Sequence, residues 1–135
     1  MNGRFQISMH IMTLLCTAGN DVLSSDYIAG SVNINPVLIR KELSNLIKHK
    51  LVSSKEGKSG GYTLAKPAAQ ISVADVYHAV QINPVLGKAR NTPNPKCPVG
   101  KEISKHLNQL NNEVDQMIIK KLGKQSIAAF TKLFD

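Results

Sequence analysis

The sequence predicts a mostly helical fold with one small β-hairpin, and two observations carry this prediction. Apolar residues recur at helical spacing through most of the 135-residue chain. Two short strand-like runs, residues 51–55 and 62–65, flank a glycine-rich stretch. We expect a compact domain at 1–83, a proline-rich linker or irregular loop at 84–98, and a long C-terminal helix followed by a short one at 99–135.

The charge of the chain indicates the class of its partners. It has 17 Lys and Arg residues against 9 Asp and Glu residues, a formal net charge of +8. Such an excess favours polyanionic partners, with nucleic acid first among them. Aromatic residues make up 4% and Trp is absent, which argues against a stacking platform for single strands. The N-terminus lacks a signal-peptide pattern and no 18 apolar residues run together, so we expect a cytoplasmic protein without membrane segments.

Two helices are predicted before residue 33. Apolar residues surround most of the circumference of segment 4–16, as in a helix buried by its neighbours. Ser24 is a suitable N-cap for a second, short helix that begins at Ser25 and ends at Gly30 or Val32. The apolar residues of this helix that we expect to face inward are Tyr27, Ile28 and Val32.

A basic amphipathic helix follows after a tight turn. Asn35 is a good N-cap, and Pro36 has the backbone conformation that the first helical position requires. Helical spacing then separates an apolar side from a polar one. The residues expected to face inward are Leu38, Ile39, Leu43, Leu46 and Ile47. The residues expected on the other side are Arg40, Lys41, Ser44 and Lys48.

The order of elements from residue 24 to residue 65 is typical of a winged helix-turn-helix. In that fold the second helix enters the major groove of DNA, and the hairpin, or wing, approaches the backbone or the minor groove. Between residues 40 and 66, seven basic residues stand against Glu42 and Glu56, which leaves +5 in this segment. Charge alone is explained equally well by a solvated helix face, but layout and charge together favour duplex DNA.

One short and one long helix are predicted after the hairpin. Residues 72–75 have the form of a capping box and precede an apolar stripe. Beyond the proline-rich segment, a helix runs from Val99 until Gly123 stops it, and Ser126 caps a last short helix. The apolar stripe of the long helix is Ile103, Leu107, Leu110, Val114, Met117, Ile118 and Leu122. So long a helix cannot bury this stripe on itself, so it packs on the body or on a second copy of the chain.

Four segments of the sequence resemble one family of bacterial regulators. They are Ser-Ser-Asp-Tyr-Ile-Ala at 24–29, Asn-Ile-Asn-Pro-Val-Leu-Ile-Arg-Lys-Glu-Leu at 33–43, the hairpin ending Gly-Gly-Tyr-Thr-Leu-Ala at 60–65, and Ile-Ser-Val-Ala-Asp-Val at 71–76. These segments are similar to those of the Rrf2 family of transcription regulators, and the resemblance covers residues 4–83. It implies a homodimer that forms through the long C-terminal helix and represses transcription at a palindromic operator in double-stranded DNA.

The resemblance also implies which residues contact DNA. It places Asn35, Val37 and Arg40 where family members carry groove-facing side chains, and the guanidinium of Arg40 suits the O6 and N7 atoms of guanine. The further residues that we expect at the DNA are Lys41, Ser44, Lys48, Lys55 and Lys58. The family usually has Arg before the first wing glycine, whereas this chain has Glu56, which phosphates would repel. Either the wing lysines replace that Arg or the wing contributes less.

Two other classes of function compete with a DNA-binding regulator. Glu56 favours a winged-helix module that binds a protein and has no specific DNA site. An enzyme is not expected, because the sequence has neither a Ser/His/Asp order nor paired carboxylates in a context that supports catalysis.

The number and spacing of the cysteines indicate whether the chain can bind an iron–sulfur cluster. Family members that bind an iron–sulfur cluster carry three closely spaced cysteines before the long helix, whereas this chain has Cys97 alone there and Cys16 in an apolar helix. We therefore expect no cluster, and the four histidines have no metal-ligand spacing, so no metal or other cofactor is predicted. Cys97 opens the long helix, where the helix dipole and nearby lysines favour a thiolate. It is either a redox sensor or a packed small side chain.

Overall fold

The computed structural model describes residues 3–135, so the first two residues of the predicted 1–83 domain lie outside the described residues. The helices are α1 (Arg4–Ala18), α2 (Ser25–Val32), α3 (Pro36–Lys48), α4 (Val73–Val80), α5 (Pro98–Leu122) and α6 (Ile127–Thr131). The strands are β1 (Val52–Lys55) and β2 (Gly61–Leu64), and 3-10 turns lie at Ala68–Gln70 and Lys132–Phe134. The fold is a mostly helical winged helix-turn-helix with a long C-terminal helix, as predicted. None of the described helices is both long enough and apolar enough to cross a membrane.

Side-chain caps fix where the helices begin. The Ser24 hydroxyl accepts a hydrogen bond from the Tyr27 amide (3.1 Å), and the Asn35 side chain accepts one from the Val37 amide (2.8 Å). Ser72 forms the predicted capping box, and Ser126 caps α6. Each cap satisfies an amide that the helix itself leaves unpaired, so these four helix starts are local consequences of the sequence.

The hairpin is held against the rest of the domain by its second strand. The strands β1 and β2 are antiparallel, with Val52 opposite Leu64 and Lys55 opposite Gly61. The Leu23 amide donates to the Tyr62 carbonyl (3.1 Å) and the Tyr62 amide donates to the Leu23 carbonyl (2.8 Å). A Cβ atom at Gly61 would lie 2.7 Å from the Leu23 carbonyl oxygen. Glycine at this position therefore permits the close approach that anchors the wing.

The core unites the first domain with the last helix. Fully buried aliphatic side chains come from α1, α3, α4 and the segments between them. Ile127 of α6 belongs to the same cluster and is fully buried. Its amide donates to the Ile71 carbonyl (2.7 Å), and the Val73 amide donates to the Gln125 carbonyl (2.9 Å). These two bonds fix the chain after α5 against the start of α4.

Two side chains predicted to face inward are exposed, and these predictions were wrong. Tyr27 is 60% exposed, because α2 buries the adjacent Ile28 and Ala29. Leu38 is 51% exposed, because the buried side of α3 is centred on Ile39, Leu43 and Leu46 and Leu38 lies at its edge. The remaining predicted inward residues of α2 and α3 are buried or partly buried.

The long helix packs on the body with its C-terminal half. Contacts between α4 and α5 cover part of it, whereas most side chains from Lys101 to Leu110 are exposed. The loop before α5 is attached to it near the middle. The Leu86 amide donates to the Asn111 side chain (3.0 Å), which in turn donates to Asp115 (3.2 Å). The first half of α5 therefore extends away from the domain.

Candidate nucleic-acid interface

The outward side of α3 carries the side chains predicted for DNA contact. Val37, Arg40, Lys41, Ser44 and Lys48 are all exposed, and we call this set the α3 face. Their spacing of three and four residues places them along one side of the helix. The structure therefore brings these five predicted residues together on one accessible surface.

The acidic residue of α3 points away from the α3 face. The Arg4 Nε atom donates to both carboxylate oxygens of Glu42, at 3.0 and 3.1 Å, and the Glu42 side chain is 7% exposed. A buried carboxylate needs such a partner, because an uncompensated charge is costly in the protein interior. The α3 face is left with positive formal charges, so it presents a field that attracts phosphate groups.

The N-terminal end of α3 is held in a defined orientation. The Asn35 Oδ1 atom accepts from the Val37 amide, so this oxygen is committed to the helix cap. The Arg40 Nη1 atom donates to the Ser25 hydroxyl over 3.5 Å, a long contact between α3 and the start of α2. Sequence reasoning did not single out Ser25, because the contact joins residues 15 positions apart.

The tip of the wing carries the other predicted DNA contacts. Lys55 ends β1, and Glu56 and Lys58 follow in the turn; all three side chains are exposed. The Gly60 amide closes the turn by donating to the Gly57 carbonyl (3.0 Å). Gly57 has φ of +100°, a conformation that side-chain-bearing residues rarely adopt. The tip thus places two lysines beside one glutamate at the end of a fixed hairpin.

A second exposed surface lies on α5. We call the set Ile103, Leu107, Leu110, Val114 and Met117 the α5 stripe, because its members recur every three or four residues. Leu107, Leu110 and Met117 are exposed, and Ile103 and Val114 are partly buried. The body of the described chain covers only part of this stripe, although each member is an aliphatic or thioether side chain.

The side-chain donors of the described residues do not fit an iron–sulfur cluster. Cys97 is exposed at the N-cap of α5, and Cys16 is half-buried within α1. Between residues 3 and 135 no group of three or more His, Cys, Asp or Glu side chains is placed to hold a metal ion. A two-iron cluster requires four ligands, usually thiolates, so a single exposed cysteine leaves most of them unsupplied.

Comparison with known proteins identifies the family of the chain. The Rrf2 family model, described as an iron-dependent transcriptional regulator, matches residues 1–132. The chain is 37% identical to YwnA of Bacillus subtilis, a predicted HTH-type transcriptional regulator, over 94% of this chain and 93% of that protein. The motifs between residues 24 and 76 also resemble YwnA. At 37% identity, the chain is similar to that regulator along nearly its whole length.

Solved structures agree with this assignment. A predicted transcriptional regulator from Lactobacillus plantarum matches with a TM-score of 0.78 and 29% identity, over 95% of this chain and 87% of the other. CymR, the global cysteine regulator of B. subtilis, shares the fold with a TM-score of 0.71 at 18% identity, over 100% and 98% of the two chains. These relatives are regulators, which confirms that the chain is not an enzyme. The chain belongs to the Rrf2 family of transcriptional regulators.

Proposed function

We propose that the protein binds specific sequences in duplex DNA as a homodimer and represses transcription by occupying promoters. The observation that carries this proposal is the α3 face, where exposed cations lie along one side of the helix while Glu42 is turned inward against Arg4. A major groove admits such a helix, and phosphates attract its cations.

The α5 stripe supports the dimer. Leu110 is 49% exposed, and the stripe repeats at the spacing of a helix–helix contact. A second copy related by a two-fold axis would cover it and present two α3 faces, so the preferred operator is palindromic. Wing contacts come from Lys55 and Lys58, and Glu56 weakens them.

We further propose that DNA binding needs no metal. The family description names iron, but the donor set around Cys97 does not fit a cluster. Protein prepared without oxygen is expected to bind DNA without cluster absorbance. Stoichiometric iron and sulfide in such a preparation would contradict this part of the proposal.

The experiment that tests the function is selection of bound duplexes from a random pool at fixed salt. We expect an enriched palindrome whose half-sites lie about one helical turn or more apart. If no sequence is enriched, the winged-helix domain is a protein-interaction module, the alternative that Glu56 favours.

Cys97 is proposed as a site of regulation by oxidation. It is exposed at the start of α5, the helix that bears the α5 stripe. Peroxide would convert the Cys97 thiol to a sulfenic acid with release of water, and the added oxygen would alter the first turn of α5. Titration of DNA binding against peroxide tests this, because Cys97→Ser should be insensitive where the wild-type protein responds. Equal responses would exclude Cys97 as the sensor.

A further inference from the structure

Two adjacent aliphatic side chains at the start of α3 lie outside the hydrophobic core. Val37 is 60% exposed and Leu38 is 51% exposed, on the first turn after the Asn35 cap. Neither belongs to the hydrophobic core or to the α5 stripe. Leu38 lies at the edge of the buried side of α3, which is formed by Ile39, Leu43 and Leu46.

The charges around this apolar pair select its partner. Arg40 and Lys41 follow it directly on the same exposed helix. A second copy of the chain placed here would bring cations against cations, whereas a polyanion is attracted by them. Among polyanions, duplex DNA also offers apolar groups, because each thymine carries a C5-methyl group at the edge of the major groove.

We propose that Val37 and Leu38 read the methyl groups of thymines in each half-site of the operator. The inference rests on the proposed function, and it adds a base preference to it. In helix-turn-helix proteins the first residues of the recognition helix approach the base edges. Val37 and Leu38 are the exposed apolar side chains on the first turn of α3. Val37 is β-branched and stiff at χ1, so little side-chain entropy opposes its contact with a methyl group.

The proposal also orders the bases within the half-site. Arg40 lies three residues after Val37, about one helical turn away, on the side where Ser25 holds it. The guanidinium of Arg40 can donate hydrogen bonds to both O6 and N7 of guanine. We therefore expect A·T pairs beside a G·C pair in each half-site. Neighbouring phosphates bind Lys41 and Lys48 whatever the base sequence.

The test replaces thymine by deoxyuridine at single positions of the selected operator. This exchange removes one methyl group and leaves every hydrogen-bonding atom in place. We expect wild-type protein to lose about fourfold in affinity for each contacted methyl group, at one or two positions per half-site. Exchange in both half-sites should give about the square of that factor, because the two protomers bind alike.

Protein variants assign the effect to these side chains. Leu38→Ala and Val37→Ala, both at exposed positions, should fold normally and should each abolish the thymine preference at one position. Leu133→Ala, a matched control at an exposed leucine outside α3, should keep the full preference. If the wild-type protein binds the operator with the same affinity after every single thymine exchange, this inference is overturned and the proposed function stands. Failure to bind any duplex overturns both.

Discussion

The α3 face and the α5 stripe both expose apolar side chains, but in different surroundings. On α3 the exposed charges near Val37 are cations, because Glu42 is buried. On α5 the charges are mixed, with four lysines against Glu102, Glu113 and Asp115. The apolar groups also differ in spacing, since those of α3 are adjacent and those of α5 recur along the helix. These different surroundings are why we propose different partners, a DNA edge for α3 and a second copy of the helix for α5.

The largest expected effect comes from Leu110→Glu on the α5 stripe. A carboxylate at this position would be buried between two helices without a partner, so the dimer should dissociate. Loss of the linked second half-site should lower operator affinity by about 100-fold or more. Sedimentation and operator titration measure the two effects. Asn112→Glu, which adds the same charge at an exposed position off the stripe, should remain dimeric. A dimeric Leu110→Glu protein would contradict this assignment of the interface.

The next effect separates base contacts from phosphate contacts on the α3 face. Arg40→Ala should cost about 1–3 kcal/mol of binding free energy at the operator and relax the preference at one position per half-site. Lys48→Ala should weaken binding to all duplexes alike and reduce the salt dependence. Titrations on specific and random duplexes at two salt concentrations distinguish them. Unchanged binding by Arg40→Ala would show that α3 is not the recognition helix.

A third prediction concerns the two glutamates near the interface. Glu42→Gln should lower the free energy of unfolding by about 2 kcal/mol, because it removes a charge-assisted pair that is mostly buried. Its folded fraction should bind DNA normally, since the residue points inward. Glu56→Gln is the same substitution at an exposed position. It should leave the free energy of unfolding unchanged and strengthen binding to all duplexes. Urea unfolding and DNA titration of both variants check this, and a stability loss in Glu56→Gln would argue against it.

The smallest expected effect concerns the turn after α3. Lys50 has φ of +63°, where a residue with a side chain is strained and glycine is not. Lys50→Gly should therefore raise the free energy of unfolding by about 0.5–1 kcal/mol. Asn33, at φ of +64° after α2, is the matched control, because asparagine tolerates this conformation and Asn33→Gly should change stability less. A larger gain at Asn33 than at Lys50 would contradict this reasoning.

The sequence predicted the features that depend on neighbours in the chain. Caps at Ser24, Asn35, Ser72 and Ser126, and the glycine-rich wing tip, act within a few residues and were confirmed. The exposure of Leu38 was not predictable in this way, because it depends on which side of α3 packs against α1, α2 and α4. Helical spacing gives the sides of a helix, but only the packed neighbours decide which side a residue at the boundary takes.

The place of Ile127 in the core has a consequence for synthesis of the protein. The winged domain shares its core with this side chain, which two backbone bonds hold beside residues 71–73. A growing chain that has reached Gln81 has all of the predicted DNA-contacting residues but lacks part of the hydrophobic interior that fixes them. We therefore expect the domain to reach its full stability only after translation has passed residue 127. A polypeptide that ends within α5 should be less stable than the intact protein and should bind DNA more weakly.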